Sequence, residues 1–222
     1  MSKRAVVLLS GGLDSAVTLF YAIDKGYDCF ALSFDYGQRH NKEIILARAI
    51  ASAAKTQFKT VKLVLPWKGS SLTDKKLAIP VNRTMGQIKS GVPSTYVPAR
   101  NTIFLSIAAS YAEVIGARKI FIGAHSEDSS GYPDCRLDYL KAFDKTIKLG
   151  TKSGREGKLS LGFPLINRNK SGIIKLGVSL GVPFKFTRSC YEGVVRPCGK
   201  CDSCILRAKG FKKAGVNDPA LD

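Results

Sequence analysis

Histidine is nearly absent from this chain of 222 residues, which holds only His40 and His125. Two imidazoles leave little material for a histidine-ligated metal centre or a Ser-His-Asp triad. No apolar run approaches the ~20 residues needed to span a bilayer, so no membrane partner is expected. No signal-peptide pattern is expected either, because Lys3-Arg4 precedes only the short apolar run of residues 5–9. A cytoplasmic location is therefore expected. The chain has no internal repeat, low-complexity tract or heptad seam, which excludes solenoids and coiled coils. Acidic residues are scarce, 17 against 35 Lys and Arg, for a formal charge of +18. Such an excess suits a nucleic-acid binder, or equally the lysine coat of a heat-adapted protein. No arm or tail concentrates the charge, so it leaves tRNA binding open.

One further absence lies near the N-terminus. Residues 5–9 have the apolar, β-branched pattern of a buried parallel strand, and residues 16–25 carry apolar side chains at helical spacing. Between them lies Ser10-Gly11-Gly12-Leu13-Asp14-Ser15, with no Gly-Lys-Ser/Thr, so the loop is not a Walker A. Glycines allow close backbone approach, and the free N–H groups of a first helical turn attract anions. Asp14 stands where a phosphate-binding lysine would be, which makes sense if Mg²⁺ lies between carboxylate and polyphosphate. The plainer reading is a tight strand-to-helix turn capped by Ser10 and Asp14.

Downstream, residues 29–34 and 60–65 read as strands, 42–54 as a helix, 102–115 as a helix and 119–123 as a strand. Residues 66–97, broken by proline and glycine, form a loop long enough to suggest a lid or binding loop. Residues 137–149, 170–180 and 204–214 read as helices. The order predicts an α/β fold, a doubly wound parallel sheet with ligands beyond the carboxyl ends of the strands. Residues 1–182 would form that domain and 183–222 a small cysteine-rich region with a terminal helix.

Cys190, Cys198, Cys201 and Cys204 follow the spacing C-x7-C-x2-C-x2-C. Four thiolates suit a structural, tetrahedral Zn²⁺ with Zn–S bonds of ~2.3 Å and no open position. A four-cysteine iron–sulfur cluster is the rival. Arg196, Lys200 and Arg207 would offset the tetrathiolate charge. Cys29 is expected in the core and Cys135 against the pocket.

The first loop resembles the pyrophosphate loop of the N-type ATP pyrophosphatases. Within that group the chain is similar to the 7-cyano-7-deazaguanine synthase (QueC) family. The likeness is carried by Asp35-Tyr36-Gly37-Gln38-Arg39-His40, Val97-Pro98-Ala99-Arg100-Asn101-Thr102, Ser130-Gly131-Tyr132-Pro133-Asp134-Cys135-Arg136 and the cysteine segment. Three stretches depart from the family pattern: His125-Ser126-Glu127, Asn167-Arg168-Asn169 and Arg188. The resemblance implies a carbon–nitrogen ligase that turns 7-carboxy-7-deazaguanine, ammonia and ATP into the nitrile through adenylated intermediates, for queuosine or archaeosine. It implies a homodimer, structural zinc, ATP with Mg²⁺, and no requirement for nucleic acid. ATP would be held by Leu9, Ser10, Gly11, Gly12, Leu13, Asp14, Ser15, Ala16, Val17 and Thr18, with Ser33 and Asp35 at the adenosine. Asp14, Arg100 and Lys170 are the candidate catalytic residues. Asp128, Tyr132 and Asp134 are the candidate substrate contacts, with Asp134 accepting two hydrogen bonds from a guanine-like edge. A tRNA-modifying enzyme of the same group and a non-catalytic zinc-ribbon module are the alternatives.

Overall fold

The structure, a computed structural model, describes residues 3–39, 42–125, 127, 131–193 and 196–221. Strand β1 (Lys3–Leu8) leads into helix α1 (Leu13–Asp24), followed by β2 (Tyr27–Asp35), α2 (Lys42–Ala53) and β3 (Gln57–Lys62). A long connection holding the short helix α3 (Met85–Lys89) reaches α4 (Arg100–Val114) and β4 (Lys119–Phe121). Then come α5 (Leu137–Gly150), α6 (Lys152–Arg155), β5 (Ser160–Gly162), α7 (Lys170–Ser179) and α8 (Asp202–Ala214). All five strands are parallel, in the order β3-β2-β1-β4-β5. The doubly wound sheet is thus as expected.

Period-two alternation assigns each strand residue to one of two cores. Ala5 and Val7 of β1 pack with α1, α2, α7 and Phe211 of α8, whereas Val6 and Leu8 pack with α4 and α5. Ala5, Val6 and Val7 are fully buried, which explains why this run carries no polar residue. At the exposed edge, β3 turns Lys59 and Lys62 to solvent, and such charges discourage edge-to-edge pairing.

Several elements differ from the sequence reading. Helix α1 begins at Leu13, three residues early, because Leu13 is itself a core residue, 1% exposed. Asp14 therefore belongs to the first helical turn. Strand β3 lies at 57–62 instead of 60–65, where Thr60 pairs in register with Ser33. Strand β5 has only three residues, too short for a recognisable period.

The chain runs outward from β1 to β3, then returns to the other side of β1 as β4. Open α/β sheets bind ligands at such a reversal, beyond the carboxyl ends of the strands.

Candidate functional site

A cavity of ≈ 270 Å³ opens at that place. Its walls include Ser10, Gly12, Asp14, Arg100 and Lys170, drawn from β1–α1, α4 and α7. The Ser-Gly-Gly turn is closed by its own side chains. Ser10 Oγ lies 3.1 Å from Ser15 Oγ and accepts from Gly12 N at 3.2 Å, while Ser15 Oγ donates to the Gly12 carbonyl at 2.9 Å. Arg188 N donates to the Gly11 carbonyl at 3.0 Å, tying this loop to the segment before the cysteines. Gly11 has φ +85°, and a Cβ there would lie 2.5 Å from the Glu43 carbonyl oxygen at the start of α2. Gly123, just past β4, lets α1 approach closely: a Cβ would lie 3.0 Å from the Asp14 carbonyl.

Asp14 meets Lys170 across the cavity floor. Lys170 Nζ lies 2.9 Å from both carboxylate oxygens of Asp14 and 2.9 Å from His125 Nε2. Burial pushes the Asp14 carboxyl up, but Lys170 and His125 together outweigh it and hold it well below the usual carboxylate range. Lys170 is the first residue of α7, where Asn169 caps Gly172 N at 2.9 Å and Glu127 Oε2 accepts from Lys170 N at 3.2 Å. Its stem runs against Gly210 of α8, where an added Cβ would lie 2.5 Å from Lys170 Cγ. The terminal helix thus shapes the site from behind.

Arg100 reaches the cavity from the first turn of α4, its Nη1 donating to Tyr36 Oη at 3.2 Å. The preceding Ala99 takes the left-handed conformation, φ 54°, and gives α4 no side-chain cap. Asp134 supplies one. Its Oδ2 accepts from Asn101 N at 2.9 Å, and its carbonyl from Asn101 Nδ2 at 3.3 Å. Asp134 is 5% exposed and lies behind the cavity wall, to which Asn101 and Cys135 contribute. Tyr132 Oη is 2.7 Å from Thr95 Oγ1 and 3.3 Å from Tyr191 Oη, bracing the long connection against the cysteine region. Asp128 lies outside the described residues. On β2 the cavity takes the alternate set, Leu32 and Phe34, so Ser33 and Asp35 face away from it. Ala16, Val17 and Thr18 are buried in α1 below the loop. Cys29 is a core residue whose thiol burial pushes up to about 12.

The second centre is the cysteine cluster. The four sulfurs of Cys190, Cys198, Cys201 and Cys204 lie within 4.8 Å of one another, and all are free thiols. Tetrahedral bonds of ~2.3 Å place sulfurs about 3.8 Å apart, so the set can close on one ion. Backbone N–H groups of Cys198, Lys200 and Cys201 point at cluster sulfurs, each at 3.4 Å. Val81 bridges Cys201, Asn82 N donates to the Lys200 carbonyl at 2.8 Å, and Arg83 grips Asp202 with two nitrogens. The long connection is thereby fastened to the cysteine knuckle. Arg207 does not serve the sulfurs as expected. Helical geometry turns it the other way, bidentate on Asp218 at 2.6 and 2.8 Å and bonded to Thr187 Oγ1 at 2.9 Å.

A family model described as queuosine biosynthesis protein QueC matches residues 4–215. The chain belongs to the QueC family. A 7-cyano-7-deazaguanine synthase from Thermoplasma volcanium is 51% identical over 219 residues, covering 99% of this chain and 90% of its own length. One from Trichodesmium erythraeum is 48% identical over 221 residues, covering 98% of this chain and all of its own. Among solved structures, an NMN synthetase from Francisella tularensis superposes with TM-score 0.53 at 16% identity, over 97% of this chain and 79% of that one. That likeness concerns the fold. The turn of residues 10–15 and the four-cysteine cluster both lie within the matched residues, and among the described residues no helix is long and apolar enough to cross a membrane.

Sequence reading missed Glu43 and Arg188 as cavity residues. Arg188 stood out only as a departure from the family pattern. Glu43 had no local signal, because what places it is the packing of α2 on Gly11.

Proposed function

We propose that this chain converts 7-carboxy-7-deazaguanine, ammonia and ATP into 7-cyano-7-deazaguanine, releasing AMP and pyrophosphate. The Asp14–Lys170 pair, at the sheet's reversal point and beside the glycine loop, is the observation that carries this reading. It comes on top of near-half identity to relatives of that name. A carboxylate does not expel oxide, so its oxygen must first attack the α-phosphate and displace pyrophosphate. Ammonia then displaces AMP to give the amide. Adenylation of the amide oxygen and loss of a second AMP leave the nitrile. None of these steps needs a side-chain nucleophile, so alignment and charge stabilisation are what the protein supplies.

The loop from Ser10 to Ser15 receives the β,γ-phosphates with its backbone N–H groups. Asp14 offers two hard carboxylate oxygens at the cavity floor, which suits Mg²⁺. That ion would shield the polyphosphate charge. Lys170, which lies beside Asp14 at the cavity floor, would serve the α-phosphate, and Arg100 the substrate carboxylate. Asp134 acts through Asn101 as a positioning residue that fixes the first turn of α4 and hence Arg100. Zinc fits the cysteine knuckle, where four protein ligands leave no open position. The decisive assay incubates the protein with 7-carboxy-7-deazaguanine, ATP and ammonium, without RNA, and identifies products by mass spectrometry. The nitrile with AMP is expected. Nitrile formation only after tRNA is added would replace this reading with a tRNA-modifying one, to which the charge of +18 would then belong.

A further inference from the structure

The cavity holds one carboxylate that the reaction as described does not use. Among the described residues that line it, only Asp14 and Glu43 are acidic. Asp14 is engaged by Lys170 and His125. Glu43 has no hydrogen bond or ion pair with any described residue. It stands half-buried in the first turn of α2, its carbonyl pressed against Gly11 of the pyrophosphate loop, and shares the wall with Gly12, Arg100 and Arg188. ATP and the 7-carboxylate are both anions, and an unpaired carboxylate beside either would repel it. With Mg²⁺ assigned to Asp14, the cation left without a partner is ammonium.

We propose that Glu43 is the residue that receives ammonium and frees it as a nucleophile. The inference rests on the adenylation reading above. Ammonium has no lone pair, so it passes one proton to the Glu43 carboxylate. The ammonia formed attacks the acyl carbon through its nitrogen pair. The bond from that carbon to the AMP oxygen breaks, and AMP leaves with the electron pair. The surplus proton on the new amide nitrogen, and that on Glu43, go to solvent. Burial pushes the Glu43 carboxyl above the usual carboxylate range, with Arg100 only partly offsetting it and the Cys190 sulfur adding to it, so on a half-buried wall beside Arg100 it can accept a proton near neutral pH.

The test separates the two half-reactions. Acid-dependent exchange of labelled pyrophosphate into ATP, run without ammonium, reports adenylation alone. Glu43→Gln should retain this exchange to within about twofold. Its kcat/KM for ammonium at pH 7 should fall about 10²-fold, and Glu43→Asp should recover part of the loss. The deficit of Glu43→Gln should shrink as pH rises, because free ammonia already carries its lone pair. A merely structural role would not produce that pH dependence. Wild-type ammonium dependence in Glu43→Gln at pH 7 would overturn the proposal. So would a parallel fall in pyrophosphate exchange, which would place Glu43 in adenylation. An absence of exchange in the wild type would remove the acyl-adenylate itself, and the assignment of Glu43 with it.

Discussion

Gly11 and Gly12 are adjacent in the loop, yet alanine at the two positions should behave very differently. Gly11 has φ +85°, a left-handed conformation that costs an L-residue about 1–2 kcal/mol. Its added Cβ would lie 2.5 Å from the Glu43 carbonyl oxygen and 3.2 Å from Ala47 N, both backbone atoms of α2. No rotamer change relieves that overlap, so α2 must shift, at a further ~1–3 kcal/mol. Gly11→Ala should thus lose about 2–5 kcal/mol, which for a chain of this size lowers the melting temperature by roughly 5–15 °C. Because the phosphate loop moves with it, kcat/KM for ATP should fall about 10²-fold. At Gly12 the Cβ meets the flexible Ser10 Oγ at 3.3 Å, and φ is an ordinary −79°. Gly12→Ala should cost less than about 1 kcal/mol. Calorimetry of the three proteins decides the matter. If Gly12→Ala melts as low as Gly11→Ala, or Gly11→Ala melts with the wild type, the packing argument is wrong.

Other outcomes follow from the same geometry. Asp218→Ala strands the Arg207 guanidinium in a setting where both side chains are at most 5% exposed, and should cost about 3–5 kcal/mol, read from the urea midpoint. Asp14→Asn should cut AMP and pyrophosphate formation by about two orders of magnitude or more while leaving the fold intact. Because Lys170 and His125 outweigh burial and depress the Asp14 carboxyl, its contribution to stability is present above its unfolded value of ~3.9 and lost as pH falls below it. The acid limb of the wild-type stability curve should therefore be steeper than that of Asp14→Asn. Cys201→Ser should lose the metal and release residues 79–84 from the knuckle, raising protease cutting there. Elemental analysis of the wild type should find one zinc per chain, and iron with sulfide would decide for the rival cluster.

Much of this molecule was legible in its residues because the informative signals are local. The Ser-Gly-Gly-Leu-Asp-Ser turn, the apolar strand before it and the cysteine spacing each depend on neighbours within a few positions. From them came the parallel sheet, the turn that joins its central strand to a helix, and the four-cysteine cluster. The departures have a common cause. Asp134 has the chemistry to read a guanine edge, but only folding reveals that its carboxylate caps the uncapped start of α4. Arg207 lies beside the cysteines in sequence, yet the turn of α8 directs it to Asp218. Ser33 and Asp35 are next to the cavity residues and face the other way, because side chains alternate along a strand. Lys170 meets Asp14 from 156 residues away, and Glu43 reaches the loop only because α2 packs on Gly11. Composition and spacing specify which groups a chain possesses and which short turns it can make. Which distant groups share a cavity, and which are already bonded to something else, is decided by packing that no local pattern encodes.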